Sequence, residues 1–202
     1  MRTQPIVLAL LLSAVVAVQG RQIEYAALWD KATPFDQFLA AVKSQEAKWK
    51  SRFANAAVEA EALNEARALK EKRRILVVAA ESCSDSAWAV PYVAKLAAAV
   101  PEKLELRVIG RREGGRIQSA NLTPDGRLAT PTIMILDENN QPVGAWVERP
   151  ADLQKWVIDN RPSVSADELH DHMDKWYTED AGRTTLKEVL TVLKNSATQR
   201  GK

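Results

Sequence analysis

The stretch Arg74-Ile75-Leu76-Val77-Val78-Ala79-Ala80-Glu81-Ser82-Cys83-Ser84-Asp85-Ser86 joins a short apolar run to a small polar motif that holds the chain's single cysteine. A continuous apolar run without polar alternation is the pattern of a strand buried on both faces. Ala87 to Val100 follows as a helix, and Leu104-Glu105-Leu106-Arg107-Val108-Ile109 as a second strand. A strand, helix and strand spaced this closely predict a right-handed parallel crossover.

Downstream, a loop rich in Gly and Arg leads to Thr130-Pro131 and then to two strands, Thr132–Leu136 and Pro142–Val147. Asp137-Glu138-Asn139-Asn140-Gln141 between them carries turn chemistry, so the two strands should form a hairpin. Three helices should close the chain. The first runs from about Ala151 to Asp159 and stops before Pro162. The second starts at Ser165, boxed by Glu168, and buries Leu169, Met173 and Trp176. The third starts near Thr185, boxed by Glu188, and buries Leu186, Val189, Leu190 and Leu193.

Upstream, residues 33–72 are rich in Ala, Glu, Lys and Gln. Phe35, Phe38, Leu39 and Val42, then Trp49, Phe53 and Ala56, recur at helical spacing. They predict an amphipathic stretch, broken near Ser44 or Asn55 into two helices. At the very start, Arg2 precedes an apolar run from Ile6 to Val18 that ends at Gln19-Gly20. A basic start, an apolar run and a small residue at the cut read as a secretory signal, cleaved after Gly20 or after Ala17. The run is short of the roughly 20 apolar residues that a spanning helix needs, so an uncleaved anchor is the second reading. The expected organisation is therefore a signal peptide at 1–20, a helical extension at 21–72, an α/β core at 73–160 and a C-terminal helical segment at 161–202.

Composition narrows the function classes. The formal net charge is +2, which falls to +1 without Arg2, and acids and bases are otherwise balanced. That argues against a nucleic-acid role, which would want a strongly basic face. Arg111, Arg112 and Arg116 make only a local basic patch. One cysteine cannot form an internal disulfide framework, so stability must come from the core. His170-Asp171-His172 and Asp174 do not share one helix face, so no metal site is expected, and no cofactor motif is present. Core packing is the default for Trp29, Trp49, Trp156 and Trp176, whereas Trp88 and Trp146 are placed to border Cys83.

The order of strand, helix, strand, hairpin and helix, with Cys83 opening a helix, Pro91 within that helix and Thr130-Pro131 before the hairpin, resembles the thioredoxin-like superfamily. Asn121 to Arg127, the Leu28-Trp29-Asp30 to Phe53 region and the Trp176 to Glu188 segment resemble a bacterial subfamily with helical N- and C-terminal extensions. The resemblance implies an α/β thioredoxin-like fold, a βαβ unit plus a β-hairpin with a central mixed sheet flanked by helices. It also implies that Cys83 occupies the place of the attacking thiol and Thr130-Pro131 that of a cis-proline segment. Ser86 stands where the family has its second, resolving cysteine.

The motif's chemistry can be read beside that resemblance. A cysteine at a helix N-terminus meets unpaired N–H groups and the positive end of the helix dipole, which favour thiolate over thiol. Ser86 is placed to donate a hydrogen bond to that sulfur, while Asp85 modulates its pKa in the opposite sense. Cys83 and Ser86 are the expected catalytic residues. Thr130, Pro131 and Trp88 are the expected substrate-binding residues, with the Thr130 backbone free to pair with a peptide by strand addition. With no resolving thiol in the chain, the expected activity is monothiol disulfide exchange or isomerisation. Its partners would be thiol- or disulfide-bearing exported proteins, or a small thiol, in the periplasm or, as the alternative, outside the cell if the protein is secreted. Two bland readings stand beside these: Cys83 as a packed cysteine in a non-catalytic peptide-binding module, and Pro131 as an ordinary trans proline at a strand start.

Overall fold

The computed structural model describes residues 22–195; the predicted signal segment lies outside them. In chain order the elements are α1 (Tyr25–Lys31), β1 (Thr33–Pro34), α2 (Phe35–Ala41), α3 (Glu46–Asn55), α4 (Ala60–Arg67) and β2 (Arg73–Ala79). Then come α5 (Ser84–Ala99), β3 (Leu104–Gly110), α6 (Arg111–Ala120), β4 (Thr132–Leu136) and β5 (Pro142–Val147). The chain closes with α7 (Ala151–Asn160), α8 (Ala166–Asp180) and α9 (Arg183–Leu193). The strands form one five-stranded sheet in the order β1-β3-β2-β4-β5. β2 and β3 are parallel, with Ile75 opposite Leu106 and Val77 opposite Val108, while β1, β4 and β5 run antiparallel to their neighbours. This is a mixed α/β sheet of the thioredoxin-like kind, carrying additional helices.

Strand β2 explains why the sheet is covered on both sides. Ile75, Val77 and Ala79 face one cluster, built with α5, α9 and the N-terminal helices. Leu76 and Val78 face the other, built with α1 and α6. Alternate side chains point to opposite faces, so an unbroken apolar run fills two cores at once. A third cluster, with Leu153, Val157, Met173 and Tyr177, joins α7 to α8 beside the start of α5.

Three segments differ from the sequence expectation. The N-terminal helical region breaks at both candidate points: Gln45 takes a left-handed conformation (φ 55°) and α3 ends at Asn55. It also contributes β1, a two-residue edge strand too short to show any periodicity. The Gly-Arg loop is helix α6. Gly114 lies against Val78, where a Cβ would come within 2.6 Å of a Val78 methyl, so glycine lets this helix sit directly on β2. Burial of Ile117 and Gln118 then outweighs poor helix propensity. The last helix begins at Arg183 behind Gly182, not in a Thr185–Glu188 box. Glu188 instead accepts hydrogen bonds from Trp146 Nε1 (2.6 Å) and the Ala151 N–H (2.9 Å). The Ser165–Glu168 capping box of α8 is present as expected.

Candidate functional site around Cys83

Cys83 is the N-cap residue of α5, in extended conformation (φ −85°, ψ 121°). Its carbonyl accepts from the Ala87 N–H (3.0 Å) and its own N–H donates to the Ala80 carbonyl (3.0 Å). The side chain does not cap the helix. It leaves Sγ directed across the loop, donating to the Thr130 carbonyl at 3.1 Å. Thr130 and Pro131 are buried, joined by a cis peptide bond. Cys83 itself is half-buried, while Ser82 before it is exposed.

The loop carrying the thiol is held from the N-terminal side. The Glu81 carboxylate accepts from the Lys43 and Ser44 N–H groups (2.8 and 3.1 Å), and its carbonyl accepts from Trp49 Nε1 (3.0 Å). The break between α2 and α3 therefore exposes the N–H groups that strap the motif down. Trp49 is fully buried, in keeping with the core role read from sequence.

The expected partners of Cys83 lie in different places. Ser86 is fully buried and, among the described residues, its Oγ has no hydrogen-bond partner. It makes no hydrogen bond to Sγ. Asp85 is buried and engaged elsewhere: Arg149 donates to it through Nε (3.1 Å) and Nη2 (2.7 Å), and Tyr177 through its hydroxyl (2.9 Å). Trp88 stacks with Tyr177 (ring centroids 5.3 Å, 11° between planes), lies 3.3 Å beneath the Arg52 guanidinium and donates Nε1–H to Asp174 (2.7 Å). It is a packing residue between α3, α5 and α8. Trp146 is buried in the main core.

Burial pushes the Tyr177 hydroxyl well above its ordinary value, and the Asp85 charge adds to it. Burial would lower Arg149, but the hydrogen bonds and charge of Asp85, with Glu148, hold it above its usual range. From Arg149 the alternation of charge continues outward. Glu148 accepts from Arg149 (2.8 Å) and from both terminal nitrogens of Arg127 (3.2 and 2.9 Å). Arg127 in turn bonds Asp125 (2.6 Å), and this bond holds the Asp125 carboxyl below the usual carboxylate range.

Sequence reasoning missed Arg149, Glu148, Arg127 and Tyr177. Glu148-Arg149 directly follows a strand and gives no periodic signal, and Asp85 lies 64 positions from Arg149. A shallow pocket of about 190 Å³ lies between α3, the first turns of α5 and α8, with Lys48, Ser84, Trp88, His170 and Asp174 on its walls. His172 is stacked on Trp156 (3.5 Å) and so does not share a site with His170.

A parallel pair flanked by a hairpin, with a cysteine at the N-cap position of the helix after the central strand, is the arrangement of the thioredoxin-like class. A thioredoxin family model matches residues 32–180, and the chain belongs to that family. No curated protein matches it. A crystal structure of a protein of unknown function from Pseudomonas aeruginosa is similar in fold, with a TM-score of 0.64 and 19% identity over 85% of this chain and 98% of that one. An HIV epitope-scaffold is similar as well, with a TM-score of 0.66 and 18% identity over 87% of this chain and 100% of that one.

Proposed function

We propose that this is an exported monothiol protein of the thioredoxin family that exchanges disulfides through Cys83. The observation that carries the reading is a half-buried cysteine at a helix N-cap whose Sγ meets the backbone carbonyl of Thr130. In the exchange step, the Cys83 thiolate attacks one sulfur of a partner disulfide. One S–S bond breaks, a mixed disulfide forms and the partner's other sulfur leaves as a thiolate. With Ser86 in place of a second thiol, release comes from the partner's own thiol or from a small thiol. No cofactor takes part. The periplasm is the proposed compartment, and the helical extensions mark the bacterial subfamily the sequence resembles.

A second reading, a non-catalytic module that binds a peptide or protein, is favoured by one specific observation. Leu122 and Leu128, on the segment before Thr130, are 49% and 58% exposed. Comparing wild type with Cys83→Ser in cells under thiol-blocking conditions separates the two. Partners released by reductant from wild type and absent from the variant support exchange; partners retained equally by both support binding alone.

A further inference from the structure

Glu148 occupies a position that a charged residue does not take by default. Its backbone is left-handed (φ 67°), a region that L side chains disfavour, and its carboxylate is buried with the residue only 5% exposed. Its N–H and its carboxylate are bonded to three parts of the Cys83 site. The N–H donates to the Pro131 carbonyl (2.8 Å), next in the chain after the Thr130 carbonyl that receives Sγ. One carboxylate oxygen accepts from Arg149, which grips Asp85 inside the motif. Both oxygens accept from Arg127, on the segment leading to Thr130. Buried strain and buried charge at one residue persist where the surroundings over-determine them, and such residues gather at functional sites.

We propose that Glu148 is a positioning residue: it locks the Thr130-Pro131 segment to the first turn of α5 and so sets the Thr130 carbonyl against Cys83. This rests on the reading of Cys83 as an exchange thiol and adds the device that aligns it. With the lock in place, Sγ is held by the carbonyl until a partner disulfide, seated along the Thr130 segment, lies in line for attack. With the lock removed, the sulfur is less restrained but the incoming disulfide is misaligned. A small alkylating reagent, which needs no seating, should then react faster while disulfide exchange slows.

The test compares wild type with Glu148→Gln and Glu148→Gly, the second suited to the left-handed backbone and therefore expected to fold. Two rates are measured at one pH: carbamidomethylation of Cys83 by iodoacetamide, with iodide leaving, and mixed-disulfide formation with oxidised glutathione. Exchange is expected to fall about tenfold, as for a reacting group moved out of line. Alkylation is expected to rise about fivefold, the weight of one net hydrogen bond of about 1 kcal/mol. Both rates unchanged in folded variants would overturn the proposal, and so would both rising together, which marks general loosening. If wild type alkylates but forms no mixed disulfide, the exchange reading fails. The alkylation comparison then decides the positioning role alone: a rise supports it and an unchanged rate overturns it.

Discussion

The two flanks of Cys83 are built on opposite terms. On the α8 side, Asp85, Arg149, Tyr177, Trp88, Arg52 and Asp174 are tied together by hydrogen bonds, an ion pair and ring stacking. On the Thr130 side, the backbone approaches the sulfur directly and the neighbouring segment presents exposed Leu122 and Leu128. The α8 flank is closely tied and holds the helix, although Arg52 Nη1 and Arg149 Nη1 are left without a hydrogen-bond partner among the described residues; the open flank presents apolar surface. Stability should therefore be concentrated on one side of the thiol and recognition on the other.

The hardest test of that division is Arg149→Met. It strands the buried Asp85 carboxylate, and urea denaturation should show a loss of about 3–5 kcal/mol. Adding Asp85→Asn should restore part of that loss, because the stranded charge is then gone. A similar loss from changes at Leu122 or Leu128 would break the comparison.

Gly182→Ala comes next. Gly182 joins α8 to α9 at φ 78°, and a Cβ there would lie 2.3 Å from the Tyr92 ring. Overpacking of this kind should lower stability by about 2 kcal/mol, seen as a reduced urea midpoint. The loss tests whether the α8 flank depends on how α8 is seated.

Tyr177→Phe keeps the stacked ring and removes the hydroxyl that donates to Asp85, for an expected loss of about 1 kcal/mol. Its pH dependence sharpens the point. Because the folded-state value of Tyr177 is raised, its contribution is fully present below the ordinary tyrosine range of about 10. It is lost as pH rises through the raised value. Urea midpoints above pH 10 should thus fall more steeply in wild type than in the phenylalanine variant.

The smallest stability effect is expected on the open flank. Leu128→Ser should change stability by less than about 0.5 kcal/mol, as surface substitutions usually do. It should still lower the yield of partners trapped on Cys83, measured by non-reducing electrophoresis. An unchanged yield would remove Leu128 from the recognition surface.

Much of the fold was legible because its signals are local. The β2 run, the Asp137–Gln141 turn, Pro91 within α5 and the Ser165 cap each act over a few residues. Helix α6 was not legible, because Gly114 favours a helix there only once Val78 lies beneath it. Glu188 looked like a cap because its spacing from Thr185 fits one, but Trp146 and the start of α7 compete for the same carboxylate. At the site, Cys83 and the Thr130-Pro131 segment could be read from order and position. Asp85 and Trp88 were placed by their nearness to Cys83 in sequence, which says nothing about partners arriving from α8 and the end of β5.

By itself, then, the sequence determined the succession of β2, α5, β3 and the β4–β5 hairpin, the helix that Cys83 opens and the absence of a second thiol. These follow from periodicity, turn chemistry and residue count, which need no long-range contact. Only the tertiary structure decided which groups face the thiol. It gave Asp85 to Arg149 and Tyr177, left Ser86 buried, and made Glu148 the junction between Pro131, Arg127 and Arg149. The physical reason is that hydrogen bonds and ion pairs in a folded chain are settled by direction and burial. Both depend on elements far apart in sequence.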